Sequence, residues 1–311
     1  MITTVCMNPA FDKTASTPNL LPGQTNVLSD IRYDAGGKGI NVAVTLMRLE
    51  LEAEVSCVGC LGVEDAPAFL RLLTIQEHGL PFHYIELPGK TRTNLKLLDK
   101  ETNTITELNE PGFTITTELL EAFFTLLQEK AKNSRYGVLS GSLPGNCPSS
   151  VYQTCIRMLP DVEWILDATG EPFQLGIQEK PLLVKPNLQE LEALAKRKLP
   201  SLQAIQSAAI SLIHSGARNV VVSMGREGAL FTDGQVTLFS PALTVEAKST
   251  VGAGDAMVSG FIMGLSKGGD MRESFRCGVA AAAASAMTEG TQPLCMWDFQ
   301  VLLPRVVQRE L

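Results

Sequence analysis

The sequence predicts an α/β protein with a mostly parallel central sheet, helices on both faces, and a small separate β-sheet. Three observations predict it. From about residue 117 to 228, strand-like and helix-like segments alternate regularly. Four successive strands there end in polar or glycine-rich loops, the layout of an open sheet that binds ligands along its carboxyl edge. Around residues 13–34 and 88–110 the rhythm changes to two-residue alternation with no helix following, which reads as the small sheet.

Met1 to Asn8 is an apolar first strand. Asn8-Pro9-Ala10-Phe11-Asp12 follows it, placing Asp12 just past a strand end, as a ligand contact or as a solvated loop acid. Pro18, Pro22 and Gly23 punctuate the next stretch, and Thr25 to Tyr33 is β-like. Ala35-Gly36-Gly37-Lys38-Gly39-Ile40-Asn41 then opens a helix through Ile40, Ala43, Val44 and Met47. Ala53 to Gly59 reads as a strand, Cys57 to Gly62 as a turn, Asp65 to Glu77 as a helix and Phe82 to Leu87 as a strand. Thr91 to Asp99 alternates, with Arg92, Asn94 and Lys96 on one face; Thr104 to Leu108 pairs with it as a hairpin. Beyond Gly228, three segments (229–232, 236–239, 243–247) look antiparallel, with Asp233-Gly234 as a turn. Two helices follow, the second rich in small residues around Ala283, and the tail from Met296 reads as a helix broken at Pro304.

Composition narrows the function. The 311 residues carry a net charge of -7, 45% apolar residues and 6% aromatics. Without a basic block or a stacking surface, nucleic acid is not an expected partner. No apolar run reaches the ~20 residues of a bilayer span, and no basic region precedes the first apolar segment, so a cytoplasmic location is expected. Cys57 and Cys60 lack the second pair a zinc site needs and read as buried thiols. His78, His83 and His214 have no metal-ligand spacing.

The chemistry concentrates at Ser249-Thr250-Val251-Gly252-Ala253-Gly254-Asp255. Glycines around a small residue, followed by a run at helical spacing, put free amides and the positive end of a helix dipole at a tight turn, where anions bind. Asp255 beside that turn could take a proton or simply cap the helix. The helix terminus is expected to lower its pKa. Arg92, Lys38 and Lys185 could neutralise phosphates. Asn187 and Glu190, three apart, could reach a magnesium ion through water. These ingredients suit phosphoryl transfer, which needs positioning and charge stabilisation more than a strong base. No P-loop, nucleophile elbow or dinucleotide fingerprint is present.

Ser249 to Asp255 resembles the C-terminal signature of the ribokinase-like sugar kinases, the phosphofructokinase B family. Ala35 to Ala43 resembles their N-terminal signature, and Lys185-Pro186-Asn187-x-x-Glu190 their Asn-x-x-Glu element. Asn8 to Asp12, Thr91 to Lys96 and Ser140 to Pro144 resemble the branch containing 1-phosphofructokinase and tagatose-6-phosphate kinase. The resemblance implies a single ribokinase-like domain over 1–311, with a β lid inserted from about 13–34 and 88–110 that pairs two subunits as a homodimer. It implies that Asp255 is the base and that Gly252, Ala253 and Gly254 supply amides to the transferring group. Asp12, Gly36, Gly37, Asn41 and Asn94 would bind the sugar, and Lys38, Arg92 and Lys96 its phosphate. Lys185, Asn187, Ser223, Gly225, Gly228, Thr250 and Ala283 would bind ATP, with Asn187 and Glu190 near Mg2+. The implied reaction is ATP-dependent phosphorylation of a ketohexose phosphate, fructose 1-phosphate first and tagatose 6-phosphate second. A non-catalytic sugar-phosphate sensor is the alternative of another class. Asp167-Ala168-Thr169-Gly170 departs from the family's Asp-x-Ser-Gly, a difference that bears on subgroup.

Overall fold

A computed structural model describes residues 1–49, 53–77, 79–290 and 292–311. The chain starts with strands β1 (Ile2–Cys6), β2 (Ala10–Thr17) and β3 (Ser29–Gly36), then helix α1 (Lys38–Arg48). Next come β4 (Val55–Gly62), α2 (Ala66–Gln76), β5 (Phe82–Leu87), β6 (Arg92–Asp99) and β7 (Thr104–Asn109). An alternating series follows: α3 (Thr117–Ala131), β8 (Tyr136–Ser140), α4 (Val151–Met158), β9 (Glu163–Asp167), α5 (Gly170–Gly176), β10 (Leu183–Val184), α6 (Leu188–Ala195), α7 (Leu202–His214) and β11 (Val220–Ser223). Strands β12 (Ala229–Thr232) and β13 (Thr237–Ser240), helices α8 (Ala253–Ser266), α9 (Met271–Ala286) and α10 (Met296–Leu302), and strand β14 (Arg309–Glu310) complete it.

The large sheet has the order β14-β13-β12-β11-β10-β9-β8-β1-β4-β5. It is parallel from β5 to β11 and antiparallel beyond. Helices cover both faces, so its central strands are buried on both sides and read as nearly continuous apolar runs. Strand β4, Val-Ser-Cys-Val-Gly-Cys-Leu-Gly, is buried at every position. Because side chains alternate across a sheet, Cys57 and Cys60 face opposite layers: Cys57 packs with Ile40, Leu46 and Phe69, and Cys60 with Phe123 and Leu127. Helix starts are fixed locally. Thr116, Ser201 and Asp270 accept bonds from the amides of Leu119, Ala204 and Glu273.

The small sheet has the order β3-β2-β6-β7. Its register sorts the side chains into two faces. Asp34, Asp12, Asn94 and Asn109 lie opposite one another in one row; Tyr33, Lys13, Leu95 and Leu108 form a row on the other face.

Several expectations need correction. The segment Cys57 to Gly62 is not a turn but the second half of β4, because Val58, Cys60 and Leu61 complete a pairing with β5. Asp12 is not in a loop: Ala10 to Thr17 is a strand of the small sheet. Residues 243–247 form no strand, since Pro241 interrupts the antiparallel run. The tail is helical over Met296–Leu302 and breaks at Pro304 as expected, but the chain beyond it forms β14, which pairs with β13. Helix α5, after Asp167, had no apolar periodicity long enough to announce it. Among the described residues no helix is long and apolar enough to cross a membrane. His83 is half-buried on β5 and His214 is exposed at the end of α7; His78 lies outside the described residues.

Candidate active site

The chain following β10 and β11, the starts of α1 and α8, part of α9 and the polar face of the small sheet enclose one cavity of about 1050 Å³. Strand β1 pairs with β8 on one side and β4 on the other, so the chain reverses direction across the sheet here, where open α/β sheets place their crevice. Every candidate residue from the sequence lines this cavity except Gly36. A side-chain carbon at Gly36 would fall 2.5 Å from the Asp12 carboxyl carbon, so its part is to leave Asp12 room.

Asp255 sits in the first turn of α8, after a left-handed Gly252 (φ 81°). That backbone geometry favours glycine, and no side chain caps the helix. The Ala253 amide donates to the Thr250 carbonyl at 3.4 Å, and Gly252, Ala253 and Gly254 all line the cavity. Gly252, not Asp255, occupies the N-cap position. The Asp255 carboxylate is 4% exposed. Its Oδ2 accepts a bond from Asn41 Nδ2 at 2.9 Å, and its Oδ1 has no partner among the described residues. The expected lowering of its pKa is reversed. Burial is the largest effect and, with the nearby Asp167 charge, pushes the pKa up to about 6, against the opposing pull of Lys38, Asn41 and Lys185.

At the small-sheet end, Asp12 is also buried. Its Oδ1 accepts from Asn94 Nδ2 and its Oδ2 from Lys96 Nζ, both at 3.1 Å. Asn94 Oδ1 is buried without a partner among the described residues, an open acceptor beside Asp12. Arg92 is held from behind: its Nε and Nη2 donate to the Asn8 carbonyl and its Nη1 to that of Glu110. Three of its five N–H groups are thereby used, all on neutral acceptors. No carboxylate within ion-pair distance balances its charge among the described residues.

Lys96 Nζ pairs with Asp12 Oδ2 at 3.1 Å, which commits one of its three N–H groups, and it lines the cavity. Lys38 Nζ lies 2.9 Å from Asp167 Oδ2, and Lys185 Nζ lies 3.5 Å from Asp167 Oδ1. The carboxylates acting on Lys38 are Asp167, Asp255 and Glu190; they outweigh its burial and hold its pKa above the ordinary value. The charges that act on Lys38 thus come from the Asp255 end of the cavity.

Asn187 and Glu190 form a capping box at the start of α6. Asn187 Oδ1 accepts from the Glu190 amide, and Glu190 Oε2 accepts from the Asn187 amide. Each is thus partly spent on the helix, and both still line the cavity. Among the described residues no three His, Cys, Asp or Glu side chains cluster as a metal cage. Ser223 ends β11 and Gly225 and Gly228 follow it; all three line the cavity, as do Ala282 and Ala283 of α9. Leu243, Thr244 and Val245, expected as a strand, line it as irregular chain. Sequence reading missed Asp167 as a site residue. Its position at the end of β9, matching Lys185 beyond β10, was the available signal.

The profile of the pfkB family carbohydrate kinases matches residues 5–298. The chain belongs to the pfkB family of carbohydrate kinases. A 1-phosphofructokinase of Xanthomonas campestris pv. campestris is 36% identical over 288 residues, 91% of this chain and 89% of that protein. Phosphofructokinase-2 from Escherichia coli, solved in complex with potassium, superposes with a TM-score of 0.89 at 28% identity over 98% of both chains. A tetrameric inhibited form of phosphofructokinase-2 superposes at 0.87, with 27% identity over 98% of both. Ribokinase from Thermotoga maritima, at 24% identity, shares the fold with a TM-score of 0.80 over 98% of this chain and 99% of that one. The pfkB match spans both glycine-rich helix starts and the capping box on which the family resemblance rests.

The raised pKa of Asp255 has a stability consequence. The folded chain holds the proton up to about pH 6, while the ordinary value is 3.8. The folded state therefore binds more protons between those values, and stability falls as pH rises through that window. Asp255→Asn removes the charge. Its melting temperature should exceed that of the unaltered chain above pH 6, with the gap closing as pH falls toward 4; thermal melts across that range check this.

Proposed function

We propose that this kinase transfers the γ-phosphoryl group of ATP to the free primary hydroxyl of fructose 1-phosphate, giving fructose 1,6-bisphosphate. One observation carries the reading: a buried carboxylate whose Oδ1 has no partner among the described residues, at a helix start without a side-chain cap, in the same cavity as an arginine with no acidic partner among those residues. The 1-phosphofructokinase relatives support the choice of sugar.

In this reading Arg92, backed by the Asn8 and Glu110 carbonyls, takes the phosphate already on the sugar through its remaining N–H groups. Asp12 and Asn94 accept or donate to the ring hydroxyls. The acceptor hydroxyl is presented to Asp255 Oδ1, while Asn41 holds Oδ2 and fixes the carboxylate plane. As the hydroxyl oxygen bonds to phosphorus its proton becomes acidic and passes to Asp255, so a base with pKa about 6 suffices. The amides of Gly252, Ala253 and Gly254 and the Lys185 ammonium meet the charge that develops on the transferring group. The adenine is bounded by Ala283 on α9, and Ser223, Gly225, Gly228 and Thr250 line the run to the phosphates.

The donor set suits Mg2+ carried chiefly by the nucleotide. With Asn187 and one Glu190 oxygen committed to the capping box, Glu190 Oε1 is the oxygen left to meet it, through water. The ion, when bound, neutralises phosphate charge.

We also propose that residues 1–311 act as one domain with the small sheet as a lid, and that two lids pair in a homodimer. The row Tyr33, Lys13, Leu95 and Leu108, on the face turned from the cavity, supports this: Tyr33 is 45% and Leu108 57% exposed. The tetrameric relative is compatible with a paired unit. A light-scattering mass of one 33.5 kDa chain at micromolar concentration would exclude it.

ADP release is measured with fructose 1-phosphate, tagatose 6-phosphate, fructose 6-phosphate, fructose and ribose. Fructose 1-phosphate should give the highest kcat/KM; a better rate with an unphosphorylated sugar ends the reading. Asp255→Asn should lower kcat by about 10³-fold with ATP binding retained. For the unaltered chain, kcat should fall as pH drops below about 6, because the base is then protonated. Arg92→Ala should raise KM for the sugar phosphate by about tenfold or more and leave KM for ATP nearly unchanged.

A further inference from the structure

Asp167 is among the most buried acids of the chain, 1% exposed, at the carboxyl end of β9. It is not on the cavity surface; it stands behind two residues that are, Lys38 and Lys185. Lys38 approaches Oδ2 at 2.9 Å as an ion pair without hydrogen-bond direction, and Lys185 approaches Oδ1 at 3.5 Å. Lys185 is itself 4% exposed. An ammonium buried that deeply is stable only beside a countercharge. Its position is informative: a side-chain carbon at Gly254 would lie 3.1 Å from Lys185 Nζ. The ammonium thus presses on the first turn of α8, one residue from Asp255.

Two clusters of interacting polar and charged side chains stand at the cavity. Asp12, Asn94, Lys96 and Arg92 form the one on the small sheet. Asp255, Asn41, Lys38, Lys185 and Asp167 form the other, and the charges that act on Asp255 come from Lys38, Asp167 and Lys185. Lys38 opens α1 directly after two glycines, so its backbone is fixed by the turn and its side chain by Asp167. The two lysines reach the same carboxylate from different elements, α1 and the chain after β10.

We propose that Asp167 is a positioning residue that holds Lys38 and Lys185 as a two-pronged cationic clamp on the transferring phosphoryl group. This rests on the reading of Asp255 as the base. It reassigns Lys38 from the sugar's existing phosphate to the phosphate in flight. The advantage is preorganisation: the ammonium groups are charged and aimed before nucleotide arrives, so little reorientation accompanies the transfer. Both Asp167 oxygens face ammonium groups, so this carboxylate is arranged to hold lysines and not to ligate a divalent cation.

A double-mutant cycle tests the clamp. Asp167→Asn, Lys185→Met and the double variant are assayed for kcat, both KM values, the Mg2+ requirement and the pH dependence of kcat. Asp167→Asn should lower kcat by about 10²-fold, with KM for fructose 1-phosphate within about threefold of normal. The double variant should lose little beyond the poorer single variant, because both changes disable one unit. It also removes the uncompensated lysine, so it reports even where Asp167→Asn alone folds poorly. Asp255 is faced by Lys38 and Asn41 from α1, Asp167 from β9 and Lys185 after β10. Loss of the Asp167 charge should move the acid limb of kcat to lower pH. Multiplying effects in the double variant, or a change confined to the Mg2+ requirement, would overturn the clamp. Failure of the base reading is separate: it appears as near-normal turnover in Asp255→Asn.

Discussion

Asp255 lies where water barely reaches it, with one oxygen tethered to Asn41 and the other unpaired. In a weakly polar interior an ionised carboxylate left so exposed to its own charge is costly by several kcal/mol unless cations and dipoles surround it. Much of the surrounding structure supplies them. The start of α8 contributes amides and a dipole. The strand ends of the parallel sheet contribute Lys185 and, through Asp167, fix Lys38. Burial still wins by about two pKa units, from 3.8 to about 6. That residual imbalance keeps the carboxylate basic enough to take a proton.

The same logic explains why the cavity has two differently charged ends. On the small sheet, Lys96 is neutralised by Asp12, and Arg92 is left with backbone carbonyls alone. Carbonyls orient a guanidinium without cancelling its charge. At the other end Lys38 and Lys185 meet the Asp167 carboxylate in a compact cluster. A ligand with a fixed anion on one side and a reactive oxygen on the other fits that division.

Legibility in the sequence followed locality. The helix starts at Gly36-Gly37-Lys38 and Gly252-Ala253-Gly254-Asp255, the capping box of Asn187 and Glu190, and the alternation of Arg92, Asn94 and Lys96 depend on neighbours within a few residues, and all are where the spacing puts them. What escaped was set by partners far away in the chain. Lys38 looks like a free cation until Asp167, from another strand, is seen beside it. The lowered pKa expected for Asp255 considered the helix dipole alone, and burial, a property of the whole fold, outweighed it. The turn read at Cys57 to Gly62 is a strand because β5 lies alongside. The tail after Pro304 becomes a strand because β13 offers an edge.

The order of strands in the large sheet also shapes how the chain is made. Strand β1 emerges first, yet it occupies the middle of the sheet and pairs with residues 55–59 on one side and 136–139 on the other. At translation speeds of about 5–20 residues per second, its second edge stays bare for several seconds or longer while the intervening chain is synthesised. An apolar strand with an open edge is a template for pairing with another nascent copy. Covering that edge until β8 is synthesised favours the native pairing over pairing between copies.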